Sequence, residues 1–334
     1  MTRKPRLLVV GSFVMDHIAV TQIFPEQGET VLGKSMRKAP GGKGANQAVQ
    51  AVRLGAEVTM VGKLGRDANG SEILAMCRQA GIETGRILFD EAEATGCSFI
   101  TLETGRDGSV ANRIIVIPGA NAMLRPEETD FLRAEIGRYD MVILQLEIAM
   151  EVNVHVAQIA AEAGVPVMLN PAPDAALPKE LLSCLRYISP NEHEAYRITN
   201  VKIPNGPEPF LPENAREAAQ MLRSSGVEEV IITLGSSGAV DLNGDGFFYA
   251  PAIPDTRAVD PTAAGDSFVA AFCCAVSVGM SSEDALLFAN HAASITVSRP
   301  GAMPSLPTLR EVEESLKRHG IAFEELAALH GDEE

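Results

Sequence analysis

Short apolar segments alternate with helical patterns along most of the chain. Continuous apolar runs of this kind suit strands covered on both faces, and they occur at residues 6–11, 58–62, 141–146, 166–170 and 230–234. Apolar residues at helical spacing fill the intervals, at residues 45–54, 70–80, 152–163 and 214–223. The alternation predicts an α/β fold in which a central, mostly parallel sheet is flanked by helices on both faces.

Two stretches, residues 14–38 and 95–117, break this rhythm and show strand and turn patterns without helices. In the second stretch, residues 97–102 and 110–117 flank a candidate hairpin turn at 105–108. We expect both stretches to form one small antiparallel β-sheet, a lid over a site or a surface for a second copy. Four prolines in residues 202–212 predict a surface loop. No internal repeat is visible, so we expect one domain over residues 1–334.

The charge balance narrows the possible partners. Lys and Arg number 28 against 44 Asp and Glu, so the net charge is −16. Phosphate would repel such a chain, which argues against binding to nucleic acid or to anionic membranes. No apolar run reaches the roughly 18 residues of a membrane-spanning helix, and no export signal is visible. We therefore expect a soluble, cytoplasmic protein that acts on small molecules.

The cysteines and histidines do not suggest disulfides or zinc. The five cysteines are scattered and never form a CxxC pair, and the histidines form neither HxH nor HExxH. Cys273 and Cys274 lie in an apolar helical run, where we expect them to be buried as small apolar side chains.

A glycine-rich segment, Pro40-Gly-Gly-Lys-Gly-Ala-Asn-Gln47, directly precedes the first predicted helix. Its glycines allow the backbone to approach a ligand, and Lys43 and Asn46 add polar side chains. An ordinary glycine turn would have the same residues, but we favour a ligand site.

A second segment, Asp260-Pro-Thr-Ala-Ala-Gly-Asp-Ser-Phe268, leads into an apolar helical run at 269–278. Small residues at a helix start leave the N–H groups of Ala264, Gly265 and Asp266 free to bind an anion. The residues leave the role of Asp266 open. It could be a first-turn acid that favours the helix dipole, or a base for an attacking hydroxyl beside amides that hold phosphoryl charge.

A third segment, Ile231-Ile-Thr-Leu-Gly-Ser-Ser-Gly238, is a strand that ends in a glycine turn, a common place for nucleotide phosphates. By itself it fits a plain turn equally well. Two rival phosphate motifs fail, because Ser71 stands where a Walker A loop needs lysine and no GxGxxG follows the first strand.

The order of these features along the chain favours ligand-binding segments over plain turns and helix caps. Asp16 follows the first strand, and after it come residues 41–46, Glu147, Asn191-Glu-His-Glu194, residues 233–238 and residues 260–266. In this order the chain closely resembles the ribokinase family of carbohydrate kinases, also called the PfkB family. The resemblance runs from residues 9–12 to residues 299–305, and both family signatures are present, at residues 41–46 and 260–266.

The resemblance implies a fold, a reaction and a set of site residues. The fold is a central parallel-type sheet with helices on both faces and a β-lid. Asp266 matches the catalytic base that takes the proton of a sugar hydroxyl, and the amides of Ala263, Ala264, Gly265 and Asp266 match the anion hole. Sugar-binding positions are matched by Asp16, Gly42, Lys43, Gly44, Asn46, Glu147 and Asp266.

The resemblance also implies ATP, Mg²⁺ and an activating monovalent cation, usually K⁺. Asn191 and Glu194 match the NxxE motif that organises Mg²⁺ and the phosphates. Positions around ATP are matched by Thr233, Leu234, Gly235, Ser236, Ser237, Gly238, Gly265 and Asn290. The monovalent-cation loop is matched by Asp260, Thr262, Thr296, Arg299, Gly301 and Ser305, several of them through backbone carbonyls.

The sugar is left open between ribose and other substrates. The motifs resemble ribokinases most, but Val14 stands where these often carry a polar Asn, two residues before Asp16. An apolar side chain cannot hydrogen-bond a hydroxyl, so 2-deoxyribose competes with ribose, unless Val14 merely packs in the lid. Another pentose, a ketose or a nucleoside is the further alternative, and a non-catalytic sugar or nucleotide sensor is the other class. The resemblance also implies a homodimer formed through the lids.

Overall fold

The computed structural model describes residues 3–104, 110–204 and 212–331. The turn expected at 105–108, most of the proline-rich loop and the acidic end lie outside these ranges. Strand β1, Arg6–Val10, shows why the apolar runs are continuous. Leu7 and Val9 belong to one hydrophobic core and Leu8 and Val10 to another, because successive strand residues point to opposite faces of the sheet.

Nine strands form the main sheet, in the order β13-β12-β11-β10-β9-β8-β1-β4-β5. The strands that follow β1 in this sheet are β4 (Glu57–Gly65), β5 (Ile87–Asp90), β8 (Met141–Gln145), β9 (Val167–Asn170), β10 (Tyr187–Ile188), β11 (Glu229–Thr233), β12 (Ala239–Leu242) and β13 (Phe247–Ala250). In this spatial order, every pair of neighbouring strands between β11 and β5 is parallel. Strands β12 and β13 add an antiparallel hairpin at the β11 edge. The predicted fold class is confirmed.

Helices cover both faces of this sheet. In the described ranges the α-helices are α1 (Lys43–Arg53), α2 (Ala68–Gln79), α3 (Leu132–Glu135), α4 (Met150–Glu162), α5 (Lys179–Leu182), α6 (Glu192–Thr199), α7 (Pro212–Ser224), α8 (Ala264–Ser277), α9 (Ser282–Val297), α10 (Leu309–Arg318) and α11 (Ala327–His330). Apolar residues of α1, α2, α8, α9 and α10 pack in one core, and those of α4 to α7 in the other. Helix α8 passes through the first core and includes the free, fully buried Cys273 and Cys274, as predicted.

The remaining strands form a separate four-stranded sheet in the order β3-β2-β6-β7, which we name the lid sheet. Its strands are β2 (Val14–Thr21), β3 (Ser35–Gly41), β6 (Cys97–Thr104) and β7 (Val110–Ile117). The expectation of an antiparallel lid is wrong for its central pair, since β2 and β6 run parallel. The reason is that β2 follows β1 and β6 follows β5, and those two strands point the same way in the main sheet.

One buried asparagine joins the lid sheet to the main sheet. The Asn121 side chain accepts from Phe13 N–H at 2.9 Å and donates to the carbonyls of Phe13 at 2.7 Å and Pro118 at 3.0 Å. It therefore ties the chain entering the lid at β2 to the chain leaving it after β7. None of the described helices is long and apolar enough to cross a bilayer.

Two buried carboxyl groups lie on one face of strands β11 and β12. Asp241 is fully buried and Glu229 nearly so, and each has one oxygen without a hydrogen-bond partner among the described residues. The other oxygen of Asp241 accepts from Asn243 Nδ2 at 2.8 Å. Burial, followed by the charge of Glu229, raises the pKa of Asp241 to about 8.

This pair makes stability depend on pH. The folded protein holds the Asp241 proton more tightly than the unfolded chain, so its free energy of unfolding falls as pH rises from about 4 to about 8. We expect Asp241→Asn to raise that free energy by roughly 1–3 kcal/mol at pH 8 and by less at pH 5. Urea unfolding at both pH values measures this, with exposed Asp245→Asn as control. An unchanged pH dependence in Asp241→Asn would contradict it.

Candidate active site

Polar side chains gather where the parallel strands of the main sheet end. Ser12 follows β1, Glu147 follows β8, Asn170 ends β9, and Asn191 follows β10. In open α/β sheets this carboxyl edge is where ligands bind. Helices α1 and α8 also begin here, so the two glycine-containing segments singled out in the sequence meet at one place.

The start of α1 depends on two glycines. Gly42 has φ +95°, and a Cβ there would lie 2.8 Å from the Val14 nitrogen. A Cβ on Gly44 would lie 2.6 Å from the Ser12 nitrogen, so this glycine lets the helix press against the backbone after β1. Gly44 is buried on that protein side. Gly44 thus has a packing role here, and its contact with sugar stays a prediction.

Asp266 lies in the first turn of α8 and is 6% exposed. Both of its carboxylate oxygens accept from amides of α1, Oδ2 from Asn46 Nδ2 at 2.8 Å and Oδ1 from Gln47 Nε2 at 3.0 Å. Burial raises the pKa of Asp266, and the charge of Lys43 and these hydrogen bonds oppose that rise. The carboxyl group is thus a proton acceptor with a strengthened basicity.

Lys43 is the cation of this site. Burial alone would lower the pKa of its ammonium group, but the charges of Asp266, Glu147 and Glu194 outweigh burial and raise that pKa. Lys43 therefore stays protonated among three carboxylates. Its position links Asp266, Glu147 and Glu194.

Two more carboxylates lie toward the lid sheet. Glu147 Oε2 accepts from the Lys43 backbone N–H at 2.9 Å and from the Ser12 hydroxyl. Asp16 on β2 accepts from the Ser98 hydroxyl on β6. Burial is the main cause that raises the pKa of Asp16, and the charge of Glu147 adds to it. A polyhydroxy ligand between these acids would find several acceptors for its hydroxyl groups.

The N-terminus of α8 is a partial anion site. Ala263 caps it in the left-handed region, with φ +61°. The expectation for Ala264 is wrong, because its N–H donates to the Pro261 carbonyl at 3.2 Å. The N–H groups of Ala263, Gly265 and Asp266 have no acceptor among the described residues. Three amides, rather than all four, are thus free to hold negative charge.

Two adjoining cavities open at this N-terminus. The first, of about 180 Å³, lies beside Asp266, Lys43 and Glu194. The second, of about 480 Å³, has apolar walls that include Ile253, Phe268 and Val297. The two share the lining residues Asn191, Thr233, Pro261 and Gly265. A charged group in the first cavity could thus be joined to a flat apolar group in the second.

The predicted nucleotide residues divide between cavity and core. Gly235, Ser236, Gly238 and Asn290 line the larger cavity, and Thr233 lines both. Leu234 does not, since it is buried in the hydrophobic core. Ser237 is likewise outside the lining, and its carbonyl accepts from the Tyr249 hydroxyl at 2.8 Å. The predicted place of Leu234 and Ser237 around ATP stays a prediction.

Asn191 and Glu194 form the start of α6. Asn191 Oδ1 accepts from the N–H groups of His193 and Glu194, and Glu194 Oε2 accepts from Asn191 N–H at 2.9 Å. This reciprocal cap fixes both side chains at the smaller cavity. Burial raises the pKa of Glu194. One Glu194 oxygen accepts no hydrogen bond from the described residues.

Most residues expected around a monovalent cation lie in two connected loops, whereas Thr296 lies in α9 and Ser305 in a short 3-10 turn. Asp260 accepts from the N–H and hydroxyl of Thr262 and, at 2.8 Å, from Gly301 N–H. The Arg299 guanidinium forms an ion pair with Glu311, with 2.6 Å between Nη2 and Oε1. Thr296 and Ser305 are buried and donate to the carbonyls of Ala292 and Ala302. The side chain of Arg299 therefore takes no part, whereas its backbone remains in the loop.

The sequence reasoning missed a set of buried polar residues beneath the site. They form no recognisable sequence motif, and they hydrogen-bond to the carboxylates or to one another. The set is Ser12, Gln47, Ser98, Gln145 and Asn170. The available signal was polar residues inside or just after apolar strands, where burial requires a hydrogen-bond partner.

Comparison with known proteins agrees with this architecture. Residues 4–309 match the pfkB family carbohydrate kinase model. The chain therefore belongs to the pfkB family of carbohydrate kinases, and it is a phosphotransferase with an alcohol group as acceptor.

Individual relatives are similar over nearly their full length. The chain is 38% identical to the ribokinase of Bacillus subtilis (strain 168) over 310 residues, covering 93% of this chain and 99% of the relative. It is 37% identical to the Haemophilus influenzae ribokinase over 312 residues, with 93% and 98% coverage. The structure of Arabidopsis thaliana ribokinase complexed with ribose and ATP superposes with a TM-score of 0.85, at 35% identity, covering 94% of this chain and 99% of that one.

Proposed function

We propose that this protein transfers the γ-phosphoryl group of ATP to the primary 5-hydroxyl of D-ribose, as a single kinase domain with a lid. One observation carries the proposal. The buried Asp266 carboxylate lines the smaller of two adjoining cavities and interacts with the charge of Glu147, which in turn acts on Asp16. The ribokinases of 37–38% identity support the choice of ribose.

The proposed steps use this chain's own residues. Asp266 accepts the proton of the sugar hydroxyl while the oxygen of that hydroxyl forms a bond to the γ-phosphorus. The bond from that phosphorus to the β,γ-bridging oxygen breaks, and ADP leaves with the electron pair. The N–H groups of Ala263, Gly265 and Asp266, together with Lys43, stabilise charge on the transferring group.

Mg²⁺ fits the donors near Glu194. Mg²⁺ in phosphoryl transfer is usually held by one or two carboxylates, waters and substrate phosphates. The oxygen of Glu194 that is not used in the helix cap supplies such a donor at the smaller cavity. No cluster of three or more metal-binding side chains occurs in the described ranges. When bound, the ion would neutralise phosphate charge.

K⁺ fits the two connected loops. The backbone carbonyls of Asp260, Thr262, Arg299 and Gly301 accept no hydrogen bond within the described part of the chain. Carbonyl oxygens are ligands that replace the hydration shell of K⁺. The proposed ligands of K⁺ are therefore the backbone carbonyls of these loops and not side-chain hydroxyl groups. The charge of the bound K⁺ would lie beside the N-terminus of α8.

The direct experiment is ADP formation at fixed Mg²⁺ with ribose, 2-deoxyribose, fructose, ribulose and nucleosides, with and without K⁺. We expect turnover to be fastest with ribose and to rise with K⁺. Another preferred sugar would replace ribose in the proposal, and no turnover with any of them would favour a non-catalytic sensor.

Removing the base separates chemistry from binding. We expect Asp266→Asn to lower kcat by roughly 10²–10⁴-fold, because an amide cannot accept the hydroxyl proton. ATP affinity, measured by calorimetry, should stay within about twofold, and the exposed Asp245→Asn serves as control. A near-normal kcat in Asp266→Asn would contradict the role of Asp266.

Val14 bears on the choice of sugar. It lies two residues from Asp16 on β2, so both side chains point to the same face of the lid sheet. Val14 is 5% exposed, yet it belongs to neither hydrophobic core described above. Val14 therefore lies beside Asp16, and a sugar contact at its apolar side chain would weaken discrimination against 2-deoxyribose.

A polar residue at this position should sharpen discrimination. We expect Val14→Asn to raise the ratio of kcat/KM for ribose over 2-deoxyribose about tenfold, since a new hydrogen bond can form only with the added hydroxyl. Steady-state kinetics with both sugars measures the ratio, and Val14→Ala controls for lost volume. An unchanged ratio in Val14→Asn would assign Val14 to packing.

We further propose a cytoplasmic homodimer that pairs through the lid sheets. Strand β7 is an edge strand, and its Ile114, Ile115, Val116 and Ile117 are each 46–66% exposed. An exposed apolar edge strand is a surface that proteins normally cover. The free thiols suit a reducing compartment such as the cytoplasm.

A charge on this edge should separate the subunits. We expect wild-type protein at micromolar concentration to have the mass of a dimer by light scattering, and Ile115→Lys to have that of a monomer. Met221→Lys, at an apolar residue of α7 that is 45% exposed, should remain dimeric. A monomeric wild-type protein would overturn the dimer.

A further inference from the structure

The amide that holds the base has fixed partners on every side. Gln47 is fully buried, and its Nε2 donates to Asp266 Oδ1 at 3.0 Å and to Asn170 Oδ1 at 3.2 Å. Its Oε1 accepts from Gln145 Nε2 at 2.6 Å. The amide therefore connects the end of β8, the end of β9 and the start of α8.

The two flanking amides decide which way the Gln47 amide faces. Asn170 Nδ2 donates to the Ser189 carbonyl at 3.0 Å, so its oxygen must face Gln47. Gln145 Nε2 donates to Gln47 Oε1 at 2.6 Å, whereas Gln145 Oε1 has no hydrogen-bond partner among the described residues. A donor on one side and an acceptor on the other leave one favourable orientation, with the Gln47 NH₂ group toward Asp266.

The orientation matters because a reversed amide would place an oxygen against the carboxylate. The charged groups that face Asp266 are Lys43 from α1 and Glu147 from the loop after β8, and Glu194 from α6 faces Lys43. Lys43 is shared among three acids, so the amide donors are the contacts that Asp266 does not share with another carboxylate.

We propose that Gln47, oriented by Gln145 and Asn170, is the positioning residue of the general base. It holds the Asp266 carboxylate in its ionised form and aims its remaining lone pairs at the sugar hydroxyl. This inference rests on the proposed kinase activity. It assigns to the buried Gln145–Gln47 pair a role in catalysis, not only in the stability of the core.

The test compares two buried glutamines of α1. In Gln47→Leu we expect kcat to fall roughly 10–100-fold and the KM for ATP to stay within about twofold, because the nucleotide cavity is untouched. The acid limb of the kcat–pH profile should move up by about one unit, since a lost hydrogen bond to the ionised form raises its pKa. Gln50→Leu is the matched control, as Gln50 bonds to Pro307 and Ser267 instead.

A second variant acts only through Gln47. Gln145→Leu does not touch Asp266, yet it should free the Gln47 amide to reverse and lower kcat about 3–30-fold. The double variant Gln47→Leu/Gln145→Leu should be no slower than Gln47→Leu alone. Additive losses in the double variant would overturn the proposed path.

The pKa of Asp266 can also be measured without any enzymatic turnover. Carbon NMR of aspartate labelled at the carboxyl group, with Asp266→Asn for assignment, measures the pKa of Asp266 directly. We expect that pKa to be higher in Gln47→Leu than in wild type and unchanged in Gln50→Leu. An unshifted pKa would overturn the inference, whereas a wild type without sugar turnover would overturn only the proposed function.

Discussion

The contact between the Asp266 carboxylate and the amides of Asn46 and Gln47 is the interaction on which the site depends. It joins residues 220 and 219 positions apart in sequence and fixes the start of α8 against α1. An unpaired buried carboxylate would cost several kcal/mol. The pair of amides and Lys43 offset that cost, so a strong base can be kept inside the protein.

The same contact also positions the charged and N–H groups around Asp266. Because α1 carries Lys43, its position also places the ammonium group among Asp266, Glu147 and Glu194. Because Ala263 caps α8, the position of α8 places three N–H groups that have no described acceptor beside the smaller cavity. The sugar side and the nucleotide side therefore meet at one carboxylate.

Much of this was predictable from local sequence, and the exceptions have physical reasons. Gly42 and Asp266 stand in segments whose small residues reveal a turn before a helix. The direction of β2 relative to β6 was predicted wrongly. Each of these strands keeps the direction of the main-sheet strand before it, and the residues of β2 and β6 themselves do not reveal that direction. Ala264 was misjudged because its N–H bonds within the turn, to Pro261. Gln47 was missed because its role depends on partners at the ends of two distant strands.

The position of phosphate in the product tests the central claim most directly. Because Asp266 is proposed to take the proton of a primary hydroxyl, wild-type enzyme with ribose and ATP should give ribose 5-phosphate. Phosphorus NMR should show one sugar phosphate coupled to the C5 methylene protons, together with an equal amount of ADP. Coupling to the anomeric proton, or ADP without any sugar phosphate, would contradict the account.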